Sequence, residues 1–96
     1  MICHVVLIRL RSDVDEGRRA WFLVQAREVL GPIPGVQNLR VGTNIKPAGA
    51  LPYCLVMEFE SEKELQAYQV HAQHQHFLKD IIGPLVEEKQ VYDYRY

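Results

Sequence analysis

The sequence predicts an α+β fold, a ferredoxin-like β-α-β-β-α-β sandwich in which one antiparallel sheet carries two helices on one face. Four segments have the apolar or alternating pattern of strands, and two have the pattern of amphipathic helices. The six segments follow one another in the order that this fold requires. The length of 96 residues corresponds to a single domain, residues 1–96.

The first third of the chain predicts a strand and then a helix. Residues 2–10 are β-branched and apolar on both alternating sets, with His4 as one of two polar interruptions, which is typical of a strand covered on both faces. Residues 13–30 carry one apolar stripe, with Asp13 as the expected N-cap. Gly31-Pro32 is expected to end this helix. The stripe consists of Phe22, Ala26, Val29 and Leu30.

The middle third predicts two strands joined by a loop. Residues 36–45 have a weak strand pattern, and residues 46–52 have the composition of a loop. This loop is the longest connection and therefore the best candidate for a mobile one. Residues 53–60 alternate between apolar and mixed positions, which predicts a strand with one buried face.

The last third predicts a second helix and a fourth strand. A capping box begins at Ser61, which is the expected N-cap. The helix is expected to continue, with or without a break near Ala72, as far as Ile82, and Gly83-Pro84 should end it. Residues 86–94 predict the last strand.

This architecture leaves one face of the sheet without helices. The first and third strands nevertheless carry apolar side chains on both alternating sets. Monomeric proteins rarely expose such a patch. We therefore expect a homodimer in which two sheets pack face to face and form a barrel around a joint core.

Charge and composition exclude several classes of protein. The formal net charge is −1 at pH 7, so the chain lacks the basic field that attracts nucleic acid or anionic lipid. No apolar stretch is long enough to cross a bilayer, and no signal peptide is expected, so the expected location is the cytoplasm. Cys3 and Cys54 lie in apolar stretches and are expected to be small core residues rather than a disulfide.

The side chains that can exchange protons near neutral pH are concentrated in one segment. Tyr68 is followed there by His71, His74 and His76, three of the four histidines in the chain. A metal site is one interpretation, because His71 and His74 share a helical face and His76 and Asp80 are four residues apart. These four side chains do not share a single face, however, and no metal is expected.

Six short motifs follow one another along nearly the whole chain. They are His4-Val5-Val6, Ile33-Pro34-Gly35-Val36, Val41-Gly42-Thr43-Asn44, Phe59-Glu60-Ser61, Tyr68-x-x-His71-x-x-His74-x-x-Phe77 and Val91-Tyr92-Asp93-Tyr94. In this order they resemble the stress-responsive A/B barrel (Dabb) domain family, a branch of the dimeric α+β barrel proteins. Each motif alone is weak, whereas the ordered set is fairly specific.

The resemblance implies a fold more firmly than a function, because many family members have no assigned role. It extends distantly to olivetolic acid cyclase, a plant member that closes a linear polyketide without a cofactor in a pocket between sheet and helices. The key tyrosine and histidine of that enzyme correspond to Tyr68 and His74, and its strand-1 histidine corresponds to His4. A histidine in its third strand has no counterpart, since the matching position is near Tyr53.

A site of this kind could move a proton at the carbon next to a carbonyl group. If the helix bends near Ala72, His74 reaches the space between helices and sheet and acts as general base, while Tyr68 hydrogen-bonds the carbonyl oxygen. His4 or His71 would support them. The expected ligand is a small, mostly apolar carbonyl compound that undergoes enolisation, cyclisation or isomerisation without a cofactor.

A non-catalytic interpretation stays open. In a homo-oligomeric stress-related protein, Tyr68 and His4 would belong to the core, His71 would cap a helix end, and His74 would bond a backbone group across the bend. Asp93 would pair with a strand neighbour or face solvent. A haem-degrading monooxygenase of the same superfamily is a more distant alternative, which would need an open, wide cleft. A cavity beside Tyr68 and His74 favours the first interpretation, and a filled core excludes it.

Overall fold

A computed structural model describes residues 1–46 and 51–96 of the chain. The elements run in the predicted order β-α-β-β-α-β, with the second helical region divided into several pieces. They are β1 (Ile2–Leu10), α1 (Glu16–Leu30), β2 (Gln37–Thr43), β3 (Tyr53–Phe59), α2 (Glu62–Val70), α3 (Ala72–His76), a π-helical segment (Phe77–Ile82), a last helical turn (Gly83–Leu85) and β4 (Val86–Arg95).

The four strands form one antiparallel sheet in the order β2-β3-β1-β4. β1 therefore lies between β3 and β4, where it is paired on both sides. The helices cover one face of the sheet, so the predicted ferredoxin-like α+β fold is confirmed. No helix in the described ranges is long and apolar enough to span a membrane.

The two faces of β1 have different roles. Every second residue, from Ile2 through His4 to Leu10, is buried against the helices, whereas Cys3, Val5 and the other alternate residues are only partly buried. β3 repeats this alternation. The core between sheet and helices is completed by the buried residues of α1, which are Phe22, Ala26 and Leu30. The apolar stripe predicted for the first helix thus faces the sheet, except that Val29 is only partly buried.

The start of α1 differs from the prediction. The N-cap is Asp15 rather than Asp13, and the Asp15 carboxylate accepts a hydrogen bond from the Arg18 backbone N–H at 2.8 Å. The Asp13 carboxylate is instead bound by the guanidinium of Arg11 at 3.1 Å. The helix thus begins after Asp15, two residues later than predicted.

β2 is shorter than predicted and irregular. It covers Gln37–Thr43 rather than residues 36–45, and its pairing with β3 shifts between Gln37 and Arg40. Asn38 lies at this irregularity with φ of 51°, in the left-handed region that asparagine tolerates better than most residues. Its side-chain amide donates to the Glu58 carboxylate at 2.9 Å. Of the loop predicted for residues 46–52, residues 47–50 lie outside the described part of the chain, so its mobility stays a prediction.

The second helical region begins as predicted and then breaks. The Ser61 hydroxyl accepts from the Glu64 backbone N–H at 3.4 Å, which makes Ser61 the N-cap of α2. His71 has an extended backbone (φ −65°, ψ 142°) and separates α2 from α3, so the optional break near Ala72 is present.

The end of this region was predicted too early. Gly83 and Pro84 belong to a last helical turn, and β4 starts directly after it at Val86. The Gly83 N–H bonds to the Leu78 carbonyl, five residues back, in the wider π-helical pattern. Pro84 has no N–H, and in a regular α-helix its ring would press against the carbonyl of Asp80. A widened turn before the proline relieves that conflict.

The second face of the sheet carries no helix in the described part of the chain. Val5 and Val56 are cross-strand neighbours on this face and are partly buried, while Tyr92 and Tyr94 are 42% and 58% exposed. Both cysteine thiols are free and partly buried. They lie on this open face, where Cys3 is opposite Glu58 and Cys54 is opposite Leu7, and not between the sheet and the helices.

Candidate functional site

A cavity of about 150 Å³ lies between the sheet and the second helical region. A cavity of this size can hold a molecule comparable to benzene. Its wall is mainly apolar, with a few polar side chains that converge on it, as is usual for small-molecule sites. The lining residues are His4, Val6, Leu30, Leu55, Tyr68, Gln69, His74, Phe77, Leu78, Ile82, Lys89 and Val91.

Other hollows are larger but carry different chemistry. The hollow of about 290 Å³ between the start of α2 and the end of β4 is lined by Glu62, Asp93 and Arg95 among others. It is mostly polar and does not contact His74 or Tyr68. We therefore take the smaller, mainly apolar cavity as the candidate site, since His4, Tyr68 and His74 all line it.

The break at His71 brings Tyr68 and His74 together. On an uninterrupted α-helix, side chains six residues apart point about 120° away from each other and lie about 9 Å apart along the axis. With the break, the two ring centroids are 4.5 Å apart and both side chains line the cavity. Phe59 supports the Tyr68 ring from the other side, at a centroid distance of 5.0 Å.

His74 has one ring nitrogen engaged and one free for chemistry. Its Nδ1 lies 2.9 Å from the backbone carbonyl oxygen of Gln69. A carbonyl oxygen only accepts, so Nδ1 carries the proton and, in the neutral ring, Nε2 keeps its lone pair. Burial lowers the pKa of His74 and the nearby charges of His4 and Lys89 lower it further, against the hydrogen bond to Gln69, which raises it. His74 is therefore a neutral imidazole near pH 7, with the protonation state of a base.

Tyr68 remains a neutral hydrogen-bond donor. The residue is 2% exposed, and burial raises the pKa of its hydroxyl well above the ordinary value. No hydrogen bond joins this hydroxyl to another described residue. In the described ranges, every fully enclosed side-chain polar atom has a hydrogen-bond partner. The Tyr68 hydroxyl has none, so it is not fully enclosed, and the open space beside it is the cavity.

His4 is held on the cavity wall by a carboxylate. The β1–β4 register places His4 directly opposite Asp93, and Nδ1 of His4 is hydrogen-bonded to Oδ1 of Asp93. The imidazole is 5% exposed and the carboxylate 37% exposed, so Asp93 connects a buried ring to the larger polar hollow. The His4 ring is 5.9 Å from the Tyr68 ring, measured between centroids. With Nδ1 engaged, Nε2 is the nitrogen of His4 left for a ligand.

The other two histidines lie outside the cavity wall. Nδ1 of His71 accepts a hydrogen bond from the Gln73 backbone N–H at 3.1 Å, so His71 caps the N-terminus of α3. The non-catalytic interpretation had instead expected this ring to cap the C-terminal end of a helix. His76 is exposed and pairs with Asp80 at 2.7 Å. Across the described residues, no group of three or more potential ligands could hold a metal ion.

Sequence reasoning ranked some contributors to this site too low. Asp93 was expected to pair with a strand neighbour or to face solvent. Its pairing with His4 depends on the β1–β4 register, which no local pattern encodes. Lys89 and Gln69 were not singled out. The strand alternation does place residue 89 on the same face as residues 91 and 93, and this period of two was the available signal for Lys89.

Comparisons with known proteins identify the family and the fold. The model of the stress responsive A/B barrel domain matches residues 2–96. A Dabb family protein of ferredoxin-like fold from Mesorhizobium loti is 28% identical, with a TM-score of 0.91 over 99% of this chain and 95% of that one. A comparison with curated proteins gives no match.

Two more distant structures share the fold. A dimeric ferredoxin-like protein of unknown function from Thermobifida fusca is 23% identical, with a TM-score of 0.87 over 99% of this chain and 90% of that one. A hydroxynitrile lyase from Passiflora edulis is 17% identical, with a TM-score of 0.85 over 97% of this chain and 90% of that one. At these identities the likeness concerns the fold alone.

Proposed function

The chain belongs to the stress-responsive A/B barrel domain family. From that premise we propose that its cavity binds a small, mostly apolar carbonyl compound. The residues of the cavity wall then move a proton at the carbon next to the carbonyl group, without a cofactor. Enolisation, cyclisation and isomerisation all begin with this step. The observation that carries the proposal is the neutral His74, whose Nδ1 is engaged by the backbone and whose ring lies 4.5 Å from the Tyr68 ring, between centroids, on the wall of a mainly apolar cavity.

In the proposed step His74 is the base and Tyr68 the electrophilic partner. Nε2 of His74 takes the proton from the carbon next to the carbonyl, and the C–H electron pair forms the double bond of an enolate. The negative charge moves to the carbonyl oxygen, where the Tyr68 hydroxyl donates a hydrogen bond to it. The high pKa of Tyr68 keeps its proton in place for this purpose.

His4 and Asp93 are suited to the return of a proton. Asp93 holds the ring in one orientation through Nδ1 and stabilises the imidazolium when that forms, as a carboxylate does for a histidine in other acid–base sites. Nε2 of a His4 imidazolium, which has taken its proton from solvent, then protonates the enolate. Protonation at oxygen gives the enol, protonation at a different conjugated carbon gives an isomer, and protonation at the original carbon gives back the ketone. His74 finally returns its proton to solvent, and His4 takes up another. In a cyclisation the enolate carbon instead attacks a second carbonyl of the same ligand, whose oxygen takes that proton.

One structural neighbour supports an enzyme more than a purely structural protein. The Passiflora edulis protein is a hydroxynitrile lyase, so this fold carries catalysis in at least one case. The competing non-catalytic role has its own support, because His71 and His74 both bond backbone groups next to the helix break. His74 can have both a structural and a catalytic role, because Nδ1 bonds the backbone while Nε2 remains available to a ligand.

A hydrogen–deuterium exchange experiment tests the proposal without knowledge of the natural substrate. Cyclohexanone, a ketone near the size of the cavity, is incubated with the protein in D₂O, and loss of the protons next to its carbonyl is followed by NMR. We expect exchange above the buffer rate, reduced by about 10²-fold or more in His74→Gln and strongly in Tyr68→Phe. His76→Gln is the matched control, because it removes an exposed imidazole outside the cavity.

Three results would count against the proposal. Exchange at the buffer rate with the wild-type protein would show that the cavity does not activate such a ketone. Equal loss of exchange in His74→Gln and His76→Gln would assign the activity to surface imidazoles. A large loss of stability in His74→Gln together with unchanged exchange would favour the structural role.

We also propose that a second copy of the chain covers the open sheet face. Val5 and Val56 on that face and the exposed Tyr92 and Tyr94 form an apolar surface that a monomer would leave in water. The Thermobifida fusca structure, which has the same fold, is described as dimeric. The cavity lies on the opposite face of the sheet, so such a dimer would leave it accessible.

A further inference from the structure

The cavity wall contains a cation that the proposed chemistry does not use. Lys89 of β4 lies opposite Ile8, which is fully buried beneath the helices, so its side chain leaves the sheet on the cavity side. It lines the cavity together with His74. The residue as a whole is exposed, which places its ammonium group at the entrance rather than at the floor.

No carboxylate in the described part of the chain offsets this charge. The acidic neighbours Glu87 and Glu88 are both engaged by the guanidinium of Arg9, at 3.9 and 2.8 Å. Three other arginines of the sheet and its ends also have acidic partners. Among the described residues, Lys89 has no ion pair of this kind, and no other lysine lines the cavity.

The other ionisable groups of the wall leave the cavity with an uncompensated positive charge. The carboxylate of Asp93 is already committed to His4. His74 carries no compensating negative charge, and the Lys89 charge acts on it, since it contributes to the lowered pKa of that imidazole. In the described part of the chain, the cavity wall is mainly apolar and Lys89 adds a cation without an acidic partner at its entrance, which favours a ligand that is apolar in the middle and anionic at one end.

We propose that the ligand of the cavity is a small keto acid, whose carboxylate pairs with Lys89 while its carbonyl group lies beside Tyr68 and His74. This assignment rests on the proposed function and names its substrate class. A chamber of about 150 Å³ accommodates the ketone part, and the carboxylate stays at the wet entrance, where its desolvation cost is small. The ion pair also gives the ligand one orientation, with the ketone end inward.

A matched pair of probes tests the assignment. 4-Oxopentanoate and 5-methylhexan-2-one have the same chain and the same ketone, but the second replaces the carboxylate by an isopropyl group. Their dissociation constants are measured by NMR titration with wild type, Lys89→Met and Lys63→Met. Lys63 is the control, because it is an exposed lysine of α2 that does not line the cavity.

We expect wild type and Lys63→Met to prefer the keto acid by about three- to fivefold, which is the effect of an exposed ion pair. Lys89→Met should lose this preference and keep its affinity for 5-methylhexan-2-one. Added salt should weaken the preference in the wild type.

The possible failures separate the two claims. Equal binding of both probes to wild type, or a preference that persists in Lys89→Met, would overturn the keto-acid assignment and leave the carbonyl pocket standing. Binding of neither probe to wild type would refute the pocket and this assignment together.

Discussion

Removal of the Asp93 carboxylate tests how strongly the structure depends on the His4–Asp93 pair. In Asp93→Ala the Nδ1–H of His4 loses its protein partner in a position where His4 is 4% exposed. In Asp93→Asn the side-chain oxygen can still accept that hydrogen bond, although without charge. The two substitutions therefore separate the loss of the acceptor from the loss of the charge.

The expected size of the effect follows from the burial of the two partners. A hydrogen bond to a charged group contributes about 1.5–3 kcal/mol, and an unsatisfied buried donor costs about 1–3 kcal/mol. The Asp93 side chain is 37% exposed, so screening is substantial and water can reach the position left by the carboxylate. We therefore expect Asp93→Ala to lose about 1–2 kcal/mol of unfolding free energy, which is a fall in Tm of roughly 4–16 °C for a domain of this size.

Urea denaturation and thermal unfolding near pH 7 measure this loss. Asp80→Ala is a matched control, because it breaks another histidine–carboxylate pair in which both side chains are about half exposed. That control should change stability by less than about 0.5 kcal/mol. Equal effects of Asp93→Ala and Asp80→Ala, or a loss in Asp93→Asn as large as that in Asp93→Ala, would refute the reasoning.

The remaining predictions concern other parts of the molecule. Burial lowers the pKa of His74 below its ordinary 6.5. The stability that comes from keeping this imidazole neutral is therefore present above that pH and is lost as pH falls through the folded-state pKa. On acidification, urea titrations should show a larger loss of unfolding free energy for wild type than for His74→Gln. In thermal unfolding, His71→Ala should lower the free energy of unfolding by about 0.5–2 kcal/mol. His71→Ser can still cap α3 and should lower it less. Neither variant should abolish cyclohexanone exchange. Gly35 has φ of 92°, and a Cβ there would lie 3.1 Å from a Glu64 carboxylate oxygen. Gly35→Ala should therefore lower the free energy of unfolding by about 1–2 kcal/mol. Gly17→Ala in α1 is the control and should be neutral or stabilising. Val56→Asp, on the open sheet face, should convert the proposed dimer to monomer in sedimentation experiments, and an unchanged molecular mass would contradict that interface.

The fold was predictable because its signals are local. The alternation of β3 from Tyr53 to Phe59 and the capping box at Ser61 need only a few neighbouring residues, and the structure has both elements where these patterns predicted them. The N-cap of α1 was misplaced by two residues, because Asp13 and Asp15 are equivalent as local signals. In the structure Asp15 caps the helix, whereas Asp13 pairs with the Arg11 guanidinium.

The candidate site was predictable in part, since it depends on long-range geometry. Tyr68, His74 and His4 came from a motif pattern, but their meeting depends on the break at His71, where no glycine or proline marks the chain. The break is stabilised by the His71 ring itself, which caps the following helix. The pairing of His4 with Asp93 spans 89 residues and follows from strand register, which is set by the whole sheet.

The alternation of β1 has a consequence for how the sequence can change during evolution. Its even-numbered residues, such as His4, face the cavity and core, and its odd-numbered residues, such as Val5, face the open side. Substitutions on one face leave the other face intact, so the two surfaces can diverge independently. A single inserted or deleted residue would instead exchange the two sets at once. Lineages of this fold should therefore keep the length of β1 constant even where the residues of one face change.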